Sequence, residues 1–280
     1  MFPVLIVGAA VTVVAAAVRS TWSPCGWSML STITPLTERG RGHRFGATAA
    51  WFVGGAVLGG ALLGGVAALL ATLVDASGAS TTVRLAIGGG AALAAALLDA
   101  RHLGPTLPHH RRQVNEEWLD EFRPWVYAAG FGLQIGTGLS TYIMTGAVYL
   151  VIVLAALSGA ATTAALLGAA FGLLRGLAVL TGRGNVDPGR LAAFHRRFAD
   201  LDEPVRRAVI AVLVAVGAGL LSGAAGLPTV VGVALPTGVL VVAAAAVGSR
   251  HYAAATSIRD NAPLSSATEL ARRTNEPTTA

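Results

Sequence analysis

Long apolar runs organise this 280-residue chain. Residues 2–36 form the first, interrupted by Arg19 and Pro24. At about 1.5 Å per helical residue it is too long for one straight membrane span, and Pro24, which lacks a backbone donor, should kink or break it. Residues 47–74 predict a second span, and residues 79–98 a third with Arg84 near one end. Residues 124–157 are again too long for one plain span. Residues 160–181, with Arg175 near the end, predict the fifth span. Residues 208–227 and 228–248 predict the last two, joined by a tight Gly226-Leu227-Pro228 turn.

The loops between these runs alternate in charge. Arg39, Arg41 and Arg44 occupy the first, and only Arg84 the second. The third holds Arg101, Arg111, Arg112 and Arg123, and the fourth, at Ser158-Gly159, none. The fifth holds Arg183, Arg190, Arg196, Arg197, Arg206 and Arg207. The sixth is free of arginine, and Arg250, Arg259, Arg272 and Arg273 lie in the tail. Seventeen of the twenty arginines therefore fall on one side, which the positive-inside rule makes the cytoplasm. Seven spans put the N-terminus outside and the C-terminus in the cytoplasm of a multi-pass cell-membrane protein. If residues 2–18 form their own span, the count becomes eight with the N-terminus inside. No positive residue precedes that run, which argues against a cleaved signal peptide despite Ala15-Ala16-Ala17.

The two overlong stretches carry the dense runs of small polar residues, 20–35 and 134–145. At an offset of 112 residues Cys25 meets Thr137, Gly26 meets Gly138 and Ser28 meets Ser140. Each motif opens a three-span unit, and an odd number of spans inverts the second unit in the membrane. In transporters built this way, broken helices from the two halves meet near the midplane and form the site. Pro24, Gly26, Gly136 and Gly138 are the expected breaking residues. Ser23, Ser28, Gln134, Thr137, Ser140 and Thr141 are the expected substrate-binding ones. Arg19 joins them: an arginine inside an apolar run needs a partner or a function. It would hold an anionic substrate or a Cys25 thiolate, unless residues 2–18 are a separate span and it sits at a headgroup. The alternative use of the serines and threonines is hydrogen bonding between helices. Gly54-Gly55, Gly59-Gly60 and Gly64-Gly65 on the second span have the spacing that lets helices approach closely, with packing inside the chain as their expected use.

Composition agrees with a membrane domain: 12% of residues are charged, against about 25% in a soluble domain. The net charge of +6 resides in cytoplasmic loops, so no nucleic-acid partner is expected. The chain predicts an all-α polytopic fold: a repeat over 1–100, an inverted repeat over 124–227, an extra span over 228–248 and a disordered cytoplasmic tail over 251–280. Two cytoplasmic loops predict interfacial helices. One carries Val114, Trp118, Phe122 and Trp125 on one face; the other starts at Pro188, capped by Asp187, with Leu191, Phe194 and Phe198 inward. His109-His110 lack carboxylates at ligand spacing, so no metal is expected, and no cofactor. Without a Walker loop, ATP is not the energy source.

Ser23-Pro24-Cys25-Gly26, with Pro35 ten residues on, resembles the first-helix motif of the CcdA/DsbD membrane thiol–disulfide transporters. The resemblance covers about residues 1–226 and their inverted-repeat plan. It implies that Cys25 is one half of an intramembrane redox pair that exchanges with a thioredoxin-like protein. The other half is replaced by Thr137, and Cys25 is the chain's single cysteine. The related LysE-like superfamily also contains exporters of amino acids, metals and small anions. The expectation is therefore a transporter of a small solute or anion rather than an enzyme. A relay using Cys25 with a partner thiol protein, and a scaffold presenting the cytoplasmic helices, are the alternatives.

Overall fold

Helices are the only regular elements among residues 2–100 and 118–260, which this computed structural model describes. The first overlong stretch folds as two of them. α1 (Phe2–Ser20) gives way to a turn at residues 21–23, and α2 (Pro24–Thr32) begins on Pro24, where a missing N–H costs nothing. The Ser23 hydroxyl accepts the Gly26 N–H at 3.2 Å and caps α2. A Cβ on Gly26 would lie 2.0 Å from the Thr21 carbonyl oxygen, so this sharp turn requires glycine. α3 (Pro35–Gly40) follows, opened by a reciprocal Thr34–Thr37 capping box. α4 (Phe45–Ala76) then runs 32 residues, and α5 (Thr81–Ala100) returns.

After the third loop, α6 (Trp118–Glu121) is a single turn. The longer helix expected to align Trp118, Phe122 and Trp125 stops there, because Pro124 forces Arg123 into extended backbone. Trp125 instead belongs to α7 (Pro124–Thr137) and packs on Trp51, with ring centroids 6.0 Å apart. Val114, His109 and His110 lie outside the described residues. The second overlong stretch is broken as well. α7 ends on Gly138, left-handed at φ +68°, and α8 (Ala147–Leu157) starts only after an irregular segment over 138–146.

α9 (Ala161–Leu177) leads through a 3-10 segment (Ala178–Gly184) into α10 (Pro188–Asp200). The Asp187 carboxylate caps α10, accepting the Arg190 N–H at 2.9 Å. α11 (Asp202–Ala224) and α12 (Thr229–Asp260) complete the chain. α12 continues beyond residue 250, where a disordered tail was expected to begin. Ala253-Ala254-Ala255, strong helix formers, favour that extension. Residues 261–280 lie outside the described residues.

Among the described residues, five helical segments are long and apolar enough to cross a membrane: Pro3–Ser20, Phe45–Ala76, Thr81–Ala100, Ala161–Gly184 and Asp202–Ala224. The apolar helices Ala147–Leu157 and Val230–Ala246 are shorter. Leu58, Leu69 and Leu73 on α4 and Leu166 on α9 are exposed. So much contiguous apolar surface suits lipid rather than water. The chain is a helical membrane protein.

α4 lies between α7 and α9, and glycines set both contacts. Toward α7, a Cβ at Gly55 would stand 2.1 Å from the Ala129 carbonyl, and one at Gly132 would stand 2.0 Å from that of Phe52. Toward α9, Gly60 and Gly64 meet Gly168 and Gly172 backbone to backbone. Gly54 and Gly65 point into open space. Small residues gain stability in membranes by letting backbones touch, which multiplies dispersion contacts. α5 packs on α11, and α1 packs on α8, α9, α11 and α12.

Gly60→Val is therefore expected to separate α4 from α9 and lower stability by about 3 kcal/mol, the scale of overpacking in a tight core. Gly54→Ala is expected to be neutral or stabilising by about 0.5 kcal/mol. Thermal unfolding of the two variants in detergent checks the contrast.

Candidate functional site

α1 and α7 both end within the bundle, and a helix end there must find donors for its last carbonyls. One side chain serves both. Arg175, projecting from α9, donates from Nη1 to the Ile135 carbonyl at 2.6 Å and from Nη2 to the Ser20 carbonyl at 3.4 Å. Its side chain lies 5.8 Å from the centre of the Phe171 ring, and the residue is 3% exposed. A cation at two helix C-termini also meets the negative ends of two helix dipoles. Cys25, in the first turn of α2, is buried and within electrostatic reach of Arg175.

The other ends of the breaks are satisfied separately. At the end of α7, the Thr137 and Ser140 hydroxyls adjoin each other, and both lie within hydrogen-bond distance of the Gln134 carbonyl, at 2.7 and 3.0 Å, so that one donates to the carbonyl and the other to it or to its neighbour. At the start of α8, the buried Asp99 carboxylate accepts the Gly146 N–H at 2.7 Å and the Thr145 hydroxyl at 2.5 Å. An anion at the positive end of α8 mirrors the cation at the negative ends of α1 and α7. Two buried hydroxyls, Ser20 Oγ and Thr141 Oγ1, have no hydrogen-bond partner among the described residues.

Arg19 stands apart from this centre. It is 1% exposed, and its Nη1 pairs with Asp202 at 2.5 Å where α11 begins. Its Nη2 has no partner among the described residues. The arginine beside Cys25 is thus Arg175, because α1 ends one residue after Arg19 and turns α2 toward α9. Nearby, Arg206 donates to the Asp99 carbonyl at 3.1 Å, and Glu203 holds Arg206 and Arg207 at 2.8 and 2.7 Å.

Of the residues singled out in the sequence, Ser23 caps α2, and Cys25 faces the Arg175 centre. Thr137, Ser140 and the Gln134 carbonyl form the cap of α7. Thr141 is buried in the break. Ser28 is half-buried on α2, its carbonyl accepting the Thr32 hydroxyl at 2.8 Å. Pro24, Gly26 and Gly138 lie at the breaks. Gly136 does not: it sits within α7, where a Cβ would lie 2.1 Å from the Ala56 carbonyl, so it admits α4.

Sequence reasoning missed Arg175 and Asp99 as organising residues. The available signal was an ionisable group inside or at the edge of an apolar run, which is costly unless paired or functional. It also missed Glu38, which is wholly buried. Both Glu38 oxygens accept the Tyr127 hydroxyl at 2.9 Å, and Thr48 donates to one at 2.6 Å. In the sequence Glu38 is one polar residue of an arginine-rich loop, and nothing there marks it as buried.

Two curated proteins resemble the chain. One, named "Methylamine utilization protein MauF", from Paracoccus versutus, is 31% identical over 170 residues. That alignment covers 57% of this chain and 59% of that protein, so the chain spans about three fifths of its length. The protein of the same name from Paracoccus denitrificans is 33% identical over 212 residues, covering 74% of this chain and 73% of that protein. No family model matches the chain, and no solved structure matches it.

Arg175→Met removes a charged donor from each of two buried carbonyls, which keep the N–H groups of Gly138 and Ser23, and is expected to cost about 3 kcal/mol. Arg175→Lys should recover only part of this, since an ammonium lacks the planar fork that spans both helix ends. Thermal unfolding in detergent measures both.

Proposed function

The chain belongs to the MauF family of methylamine utilization proteins, and from that membership we propose that it is a membrane accessory of methylamine utilization. Its working centre is the place where α1 and α7 end on Arg175, and it moves a small solute through that centre. The observation that carries this reading is the shared guanidinium with unpartnered buried hydroxyls at Ser20 and Thr141 in the same two breaks. Irregular backbone within a membrane protein is tolerated where it is buried in protein or lines a watery cavity, and broken helices commonly bind the transported solute.

The same proposal takes the chain as seven spans in the cell membrane, N-terminus outside and C-terminus cytoplasmic, in two inverted three-span repeats. Support comes from the arginine-rich loops and from helix pairing. Each unit opens with a broken helix, and the second and third spans of one unit, α4 and α5, pack on those of the other, α9 and α11. A two-fold exchange of the repeats would produce this pairing. The CcdA/DsbD-like plan is part of the proposal on the same grounds.

A second reading rests on Cys25. The thiol sits in the first turn of a helix near the buried Arg175, and it is itself buried, so a partner could reach it only once the bundle opens there. With no second cysteine in the chain, the exchange would be intermolecular. The Cys25 thiolate would attack a thioredoxin-like partner's disulfide, forming one mixed S–S bond and releasing the partner's other sulfur as thiolate.

For transport, replacing Ser28, Thr137 and Ser140 together by alanine is expected to cut solute flux in proteoliposomes by at least about tenfold. It should also remove methylamine-dependent growth of a host deleted for its own copy. Unchanged flux for every candidate solute defeats this reading. For the relay, Cys25→Ser should abolish a trappable mixed disulfide and the growth phenotype together, and full growth with serine at position 25 rules the relay out.

A further inference from the structure

A cleft of about 790 Å³ opens between the ends of α1 and α9 and the inner face of α10. This volume lies within the roughly 300–1,000 Å³ typical of small-molecule sites. Its two ends differ in character. Val14, Val18, Leu174 and Leu177 make one end apolar, and Val18, Leu174 and Leu177 are exposed on the outer surface of the helices. In a membrane protein such exposed apolar side chains suit contact with lipid. Asn185, Arg190 and Arg197 line the other end, and among the described residues no carboxylate lines the cleft.

Two donors at the polar end are unpaired among the described residues. Asn185 is 4% exposed, and its Nδ2 has no hydrogen-bond partner. Its backbone is held at both sides: the N–H donates to Gly182 at 3.0 Å, and the carbonyl accepts from Leu36 at 3.1 Å. Arg197 Nε is buried and also without a partner. Arg190 is already engaged by Asp187 at 3.2 Å. The walls are set by aromatic packing. Phe198 stacks on Trp22 with centroids 4.3 Å apart, and the Trp22 indole donates to the Phe198 carbonyl at 2.7 Å. Buried donors left unpaired in a fixed wall mark a place for an acceptor.

We propose that this cleft binds one membrane phospholipid with an anionic head. The phosphate sits against Arg197 and Asn185, and an acyl chain runs along α1 and α9. An apolar trough that ends in cationic donors matches an anionic amphiphile. A soluble phosphate would leave the trough unfilled, and a zwitterionic head brings its own cation toward Arg197. Basic pockets between helices on the arginine-rich side are a general means of holding anionic lipid heads. The site is separate from the Arg175 centre and does not depend on transport or thiol exchange.

The test uses the full chain purified in detergent, with phosphatidylglycerol, phosphatidylcholine or sn-glycerol 3-phosphate added and complexes counted by native mass spectrometry. One phosphatidylglycerol per chain is expected, held at least about tenfold more tightly than phosphatidylcholine. Arg197→Gln and Asn185→Leu should each weaken it by about tenfold, the loss of one charge-assisted or buried hydrogen bond. Val18→Trp, at the exposed mouth, should weaken it as well while leaving the unfolding temperature unchanged. Equal retention of the two lipids, wild-type binding by both Arg197→Gln and Val18→Trp, or displacement of the lipid by glycerol phosphate at equal concentration would each overturn the proposal.

Discussion

Breaking a helix within an apolar bundle frees backbone carbonyls and N–H groups that lipid cannot satisfy. This chain breaks two, and much of its architecture follows from meeting that demand. Arg175 takes the carbonyl ends of α1 and α7, Asp99 takes the amide end of α8, and Ser23 caps α2. The two charged groups come from α9 and α5, so each break is stabilised by a span that would otherwise only pack beside it. The sign of each charge opposes the helix dipole it meets. The Ile135 and Ser20 carbonyls also accept the N–H groups of Gly138 and Ser23, so the arginine adds a second, charged donor at each helix end.

Those charges must arrive at fixed depth, and the glycine faces of α4 provide this. Because α7 and α9 both touch α4 backbone to backbone, their separation and register leave little freedom. Arg175 then reaches Ile135 across that packing. Close approach and polar satisfaction are thus coupled: widening the α4–α9 contact would also draw Arg175 away from the end of α7. Gly55, Gly59, Gly60 and Gly64 serve this packing.

At the arginine-rich end a second layer of structure covers the breaks. α10 stacks Phe198 on Trp22 and brings His195 within 3.1 Å of Ser31, so the helix that follows α9 is docked on the first break. The buried Glu38 with Tyr127 and Thr48 ties the start of α4 to α7 in the same region. The amphipathic pattern of α10 announced an apolar inner face, and the structure directs that face onto protein. The exposed side of that joint leaves the cleft with its two unpaired donors.

By itself the sequence determined that the chain is a helical membrane protein, that its two overlong runs carry breaking residues at Pro24 and Gly138, and that α10 begins behind Asp187. These features are local: run length, a missing N–H, a left-handed glycine and a capping carboxylate act within a few residues. The same locality misled for Gly136, which sits beside a break in sequence and serves packing, and for Arg19, whose partner Asp202 is 183 residues away. Only the tertiary structure decided that Arg175 and not Arg19 joins the two breaks, that Asp99 holds α8, and that Glu38 is buried. Those outcomes depend on which spans lie side by side and at what depth. Hydropathy says that a residue lies in a span but carries no information about the helix it will face.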